Sequence, residues 1–347
     1  MLLTIIAFIF VFTAITLVHE GGHLLFAKRC GIRVHEFGIG YGPTLFKFTR
    51  NNTTYKINLL PILGFVSIAG LETDDPREKE TPENEKYYNK GPLQKFIPIL
   101  GGPLMNLVLG FIIFSVLFIF TGVPAGVSNE ISTISPGSPA AKAGILVGDK
   151  LISINKQSYK DPMAAIKFIH QNPGKEVLLT LQRGPALVNV KATPKLNAKM
   201  KIGLLGFSLK TLAKQVNPFE AMCIAFKETI WLSITIVVLF GKLILGKFAL
   251  SDLAGPIGIA QVTGQYAQMG PVSLLNFLAF FSINVAVFNL LPIPALDGGR
   301  LVFITIEAIF RKPINIELEN KIHYYAFLGF LALIALVTVN DLLRFFR

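Results

Sequence analysis

Ile15-Thr16-Leu17-Val18-His19-Glu20-Gly21-Gly22-His23-Leu24-Leu25-Phe26-Ala27 sets two histidines and a glutamate inside an apolar run covering residues 2–27. The run is too long for a signal peptide, no charged segment precedes it and no A-x-A cleavage site follows it. It reads as a retained transmembrane helix whose C-terminal end, marked by Lys28, Arg29 and Arg33, faces the cytoplasm. Residues four apart share a helix face, so both imidazoles can reach one ion. An ionisable group deep in a membrane helix costs about 3 kcal/mol. Three such groups within five residues need compensation, and a metal supplies it. Two neutral imidazoles and a carboxylate suit Zn2+ with one position left open, and Glu20 stands ready to take a proton from water there. At about 1.5 Å per residue, His23 lies roughly 8 Å before Lys28, inside the bilayer but toward its cytoplasmic side.

The composition agrees with a membrane protein carrying some water-exposed mass. Only 16% of the 347 residues are charged and 52% are hydrophobic, with 29 phenylalanines, where a soluble chain has roughly a quarter charged residues. The net charge of +12 does not mark a nucleic-acid partner. Its excess is scattered as single lysines over residues 127–214, and a basic face near anionic lipid explains it more simply. Cys30 and Cys223 have neither disulfide-framework nor thiolate-ligand spacing.

Working outward, residues 33–40, 44–48, 54–59 and 64–70 alternate like strands around the turn signal Arg50-Asn51-Asn52-Thr53, predicting a small β-sheet directly after the first helix. Residues 71–90 read as a polar cytoplasmic loop, and 96–121 as a second span containing Gly101-Gly102-Pro103 and Asn106. Short strands, turns and one helix near 162–170 fill a water-soluble segment. Residues 219–245 are apolar but carry Lys227, Glu228 and Lys242, which favours a helix lying in the interface. Residues 274–291 and 324–339 complete a set of four spans.

A third ligand must come from elsewhere. The best candidate is Asp297 in Asn289-Leu290-Leu291-Pro292-Ile293-Pro294-Ala295-Leu296-Asp297-Gly298-Gly299, where two prolines break the backbone at membrane depth. The competing reading makes Asp297 a helix cap. Asn289 is open to two roles, a helix–helix hydrogen bond or a donor to an oxyanion. His35, His170 and His323 read as structural or surface histidines.

These three stretches, together with Asp252-Leu253-Ala254-Gly255-Pro256-Ile257-Gly258-Ile259-Ala260, resemble the site-2 proteases in their bacterial regulator-of-sigma-E branch. The resemblance covers nearly the whole chain, in order. It implies an intramembrane zinc metalloprotease with His19, His23 and Asp297 on Zn2+, Glu20 as base, and substrate-handling roles for Asn289, Pro292 and Pro294. It implies a membrane-associated sheet whose edge at Gly64, Phe65, Val66 and Ser67 takes an unwound substrate as an added strand. The plainer reading of Gly64 is a turn after Pro61. Gly137-Ser138-Pro139-Ala140-Ala141-Lys142-Ala143-Gly144-Ile145, followed by Gly148-Asp149-Lys150-Leu151-Ile152-Ser153-Ile154-Asn155, is similar to PDZ domains of bacterial envelope proteases. One such domain is visible where two are common in the branch.

The expectation is a polytopic α-helical membrane protein with four transmembrane helices, a membrane-associated β-sheet, an interfacial helix and one extracytoplasmic PDZ-like domain. Its segments are 1–126 (membrane core), 127–210 (PDZ-like), 211–273 (interfacial helix and linker) and 274–347 (C-terminal membrane core). Expected substrates are transmembrane proteins trimmed first by a site-1-type protease, such as anti-sigma factors, or remnant signal peptides. Membrane lipid surrounds the chain, in the bacterial inner membrane. Two other classes stand beside this one. A catalytically silent scaffold would bind peptides through the PDZ-like domain, but has no use for a buried Glu20. A zinc transporter fits a single closed cluster poorly.

Overall fold

The computed structural model describes residues 1–71, 75–197, 201–247 and 255–345. The chain forms two compact units, one combining Met1–Phe118 with Pro218–Arg347 and the other Ile119–Asn217. Helix α1 (Leu2–Arg29) leads into β1 (Val34–Arg50) and β2 (Thr53–Ile68), joined at Asn51 and Asn52 with φ of 49° and 58°. Positive φ at both central residues is the hairpin geometry that asparagine tolerates best. Strand β1 is used on both sides. Phe37 pairs with Tyr55 and with Val66, Ile39 with Ile57 and with Gly64. Residues 36–39 are therefore an inner strand, and residues 64–67 form an edge with no further strand beyond it among the described residues. Three short 3-10 turns follow between Pro76 and Asn89, where sequence alone reads only a loop. Helix α2 (Pro92–Thr121) then carries two internal prolines, Pro98 and Pro103.

The second unit contains β3 (Val123–Ile134), α3 (Pro139–Lys142), β4 (Lys150–Ile154), β5 (Gln157–Ser158), α4 (Pro162–Gln171), β6 (Val177–Arg183), β7 (Ala186–Ala192), β8 (Lys195–Asn197), β9 (Ile202–Leu204) and β10 (Phe207–Lys214). One sheet runs β10-β3-β4-β6-β7 with β5 on β4, and β8 pairs with β9. Its first and last strands extend past both ends of segment 127–210. Ile131, Ile154, Leu179 and Leu181 fill the core. Asp149 is buried, accepts from the Leu146 N–H at 2.9 Å and is clamped by Arg183 at 2.8 and 2.9 Å. The guanidinium holds its carboxyl below the ordinary range.

The first unit resumes with α5 (Pro218–Ile244), α6 (Pro256–Gln268), α7 (Pro271–Leu290), α8 (Asp297–Phe310) and α9 (Ile316–Phe345). Among the described residues five helices, α1, α2, α5, α7 and α9, are long and apolar enough to cross a membrane. Helix α5 thus meets the criterion despite its charges. It lies along the other helices, Phe226 against Phe111 and Phe240 against Phe288. Large apolar side chains such as Phe10, Phe120, Trp231 and Leu336 remain on the surface, as a lipid-facing exterior requires. Of the motif at 252–260, residues 252–254 lie outside the described residues, and Gly255 caps α6. Ala27, Val34, Ile68, Ile99, Leu301 and Ile304 form one core joining α1, both strands, α2 and α8. That core brings the second sequence motif against the first.

Candidate active site

Helix α1 sets the His19 and His23 rings edge to face, with Nε2 to Nε2 3.2 Å. Asp297, the first residue of α8, brings Oδ2 to 3.2 Å from His19 Nε2 and 3.6 Å from His23 Nε2. The N-cap of α8 is Leu296, not Asp297. Among the described residues this is the one group of three such donors close enough to hold an ion. Ligand atoms about 2.0–2.1 Å from one tetrahedral ion lie about 3.3 Å from one another, which is the spacing observed.

The outer sides of both rings explain why the inner nitrogens converge. His23 Nδ1 donates to the Pro98 carbonyl at 2.8 Å, leaving a lone pair on Nε2. His19 Nδ1 lies 3.4 Å from Asn106 Nδ2, while Asn106 Oδ1 is buried without a partner among the described residues. With the amide turned so that Oδ1 faces His19, the orphaned oxygen gains the Nδ1–H donor and His19 Nε2 also keeps its lone pair. Asp297 Oδ2 is itself buried with no hydrogen bond. Three electron-pair donors facing one another repel, and a cation between them removes the cost. The residues present fit zinc.

Helix α2 supplies the floor. A Cβ on Gly102 would overlap the His23 ring and stand 2.9 Å from His19 Cε1, so only glycine fits beneath the two imidazoles. Gly22 and Gly101 pack backbone to backbone at the same crossing. Lys95 of α2 holds Glu307 of α8 at 2.8 and 3.0 Å, both groups largely buried, which fixes the helix that presents Asp297. Neither residue has a sequence signature; the partners are 212 positions apart.

The sheet edge comes closest to Glu20 of α1 at Gly64. A Cβ added to Gly64 would lie 3.4 Å from Glu20 Cγ and 3.1 Å from Thr16 Cγ2. Phe65, Val66 and Ser67 continue that edge away from Glu20. Asn289 is half-buried on the last turn of α7; Pro292 is exposed and Pro294 half-buried in the following loop, outside the three-donor cluster. A cleft of about 1170 Å³ opens beside Asp297, lined also by Glu36, Arg77, Arg300 and His323. At its rim the Arg77 guanidinium holds Asp75 down at about 2.

The sequence model of peptidase family M50 matches residues 7–335. The chain belongs to that family. The regulator of sigma-W protease RasP of Bacillus subtilis is 32% identical over 99% of both chains. The zinc metalloprotease RasP of Geobacillus kaustophilus is 32% identical over 99% of this chain and 98% of its own. The PDZ domain of an SdrC-like protein from Listeria innocua is 24% identical over 24% of this chain and 92% of its own, with a TM-score of 0.22. As a member of peptidase family M50, this chain is a zinc metalloprotease and an integral membrane protein. The silent-scaffold and transporter readings fall with that membership.

Proposed function

We propose that this M50 peptidase hydrolyses peptide bonds within transmembrane segments of single-pass proteins already trimmed by a site-1-type protease, of the anti-sigma-factor type, or within remnant signal peptides. The observation that carries this is the approach of the free sheet edge at Gly64 to Glu20, the residue next to His19 of the three-donor cluster. His19, His23 and Asp297 hold zinc, and zinc when bound acidifies water and polarises a carbonyl. Glu20 takes the proton from the attacking water and passes it to the leaving amine. The edge at 64–67 holds an unwound substrate segment by main-chain hydrogen bonds, which recognise any sequence able to open. Asn289, Pro292 and Pro294 border the reacting carbonyl from the opposite side, Asn289 as a donor. The unit Ile119–Asn217 is a PDZ-like module. Purified protein in detergent is expected to cleave a model transmembrane peptide, to lose that activity on chelation and to regain it with zinc. Cleavage unaffected by thorough chelation would reject the reading.

Sidedness follows from the basic residues Lys28, Arg29 and Arg33 after α1. They hold that end in the cytoplasm of a bacterial inner-membrane protein, with the donors nearby and the PDZ-like module outside. A cysteine at Ser158 is expected to react with a membrane-impermeant thiol label on intact cells. Protection there would invert the arrangement.

A further inference from the structure

The loop that delivers Asp297 contains a strained turn. Leu296 N–H bonds the Ile293 carbonyl at 3.2 Å, with Pro294 and Ala295 between them. Ala295 has φ +77°, matching the third position of a type II turn, where glycine is normally required. Types I and II differ chiefly by a flip of the central peptide, here Pro294–Ala295. Proline at the second position suits either, and alanine at the third favours type I. Something outside the turn must select the flipped form.

His323 of α9 does so. Its Nδ1 accepts the Ala295 N–H at 3.0 Å, from a ring buried to within 8% of its surface and packed against Phe303. A type I turn would point that N–H the other way and leave Nδ1 of the buried His323 ring without this donor. Because Nδ1 accepts, the ring proton sits on Nε2, which has no partner among the described residues, and the residue lines the same cleft as Asp297 and Arg300.

We propose that His323 is a positioning residue for Asp297: its Nδ1 locks the Pro294–Ala295 peptide in the flipped orientation, which aims the first residue of α8 at His19 and His23. The inference rests on the reading of Asp297 as the third zinc ligand. It goes beyond the motif because His323 lies 28 residues from Ala295 on another helix.

The test is zinc affinity, measured by competition with a chromophoric chelator on full-length protein in detergent, with size exclusion and thermal melts to establish folding. His323→Leu removes the acceptor and is expected to weaken zinc by about tenfold or more. His323→Asn offers Oδ1 near the position of Nδ1 and keeps wild-type affinity. Ala295→Gly in the His323→Leu background recovers most of the loss, since glycine takes positive φ without strain. Should His323→Leu fail to fold, His323→Gln, whose longer arm carries its oxygen past Ala295, replaces it and is expected to weaken zinc where His323→Asn does not. Wild-type affinity in a folded His323→Leu or His323→Gln variant, or equal loss in His323→Asn, would overturn the proposal. Asp297→Asn separates the two readings. Full zinc affinity in that variant rejects Asp297 as a ligand, whereas loss there beside tight binding in His323→Leu rejects only the role of His323.

Discussion

Glu20→Gln is expected to abolish cleavage of a transmembrane peptide while the protein still binds zinc with wild-type affinity. Glutamine keeps the size and half the hydrogen-bonding capacity of glutamate but cannot take up a proton at neutral pH. A general base contributes about 10²- to 10⁴-fold, and here no second carboxylate stands by to replace it. Among the described residues the other acid of the cluster is Asp297, whose Oδ2 is already directed at both imidazoles. The donors do not include Glu20, and the bonds that orient the rings come from Pro98 and Asn106 on α2. Zinc retention is therefore the internal control. Residual activity within tenfold of wild type would remove Glu20 from the base role, and loss of zinc would make it a structural part of the site.

The chemistry of this site was legible because it is written in local patterns. Histidines four apart on an apolar helix declare a shared face, and a proline-broken segment ending in aspartate declares an irregular backbone that membrane depth tolerates only around a buried site. What holds those patterns in place was not legible. Lys95 and Glu307 meet across 212 residues, and nothing near either one distinguishes a buried pair from two surface charges. His323 read as a structural or surface histidine, since a lone ring at the start of a helix has no periodicity to exploit; its role depends on the turn opposite it. Strand existence was readable from alternation, but the double use of residues 36–39 was not. Pairing on both sides needs the chain to return twice, and the hydrophobic pattern is the same for an inner strand as for a covered edge. Helix α5 shows the opposite limit. Lys227, Glu228 and Lys242 favour the interface, yet the helix is long and apolar enough to cross, and of the three only Lys242 sits at a helix end from which a basic side chain reaches the interface.

Val66→Pro is expected to cut cleavage of helical transmembrane substrates by about a hundredfold with zinc content unchanged. The Ala69 N–H bonds the Arg33 carbonyl, and main-chain groups alternate sides along a strand. Counting back from Ala69, Ser67 and Phe65 direct their N–H groups toward β1, and Val66 and Gly64 direct theirs to the free edge. Proline at 66 thus removes a donor that the sheet itself does not use, and its ring occupies the space an added strand would enter. Two lost or weakened hydrogen bonds of about 1–1.5 kcal/mol each give the stated factor. The penalty should shrink for substrates rich in Gly or Pro, because their helices open at little cost and depend less on the edge to hold them extended. Gly64 lies against Glu20 whereas Val66 sits farther along the edge, so the change leaves the donors, the base and the bonds that orient them untouched. If Gly64 merely turned the chain after Pro61, the edge would have no role in capture and Val66→Pro would leave all substrates cleaved alike. Equal loss for every substrate, accompanied by loss of zinc, would point instead to damage of the sheet on which α1 rests.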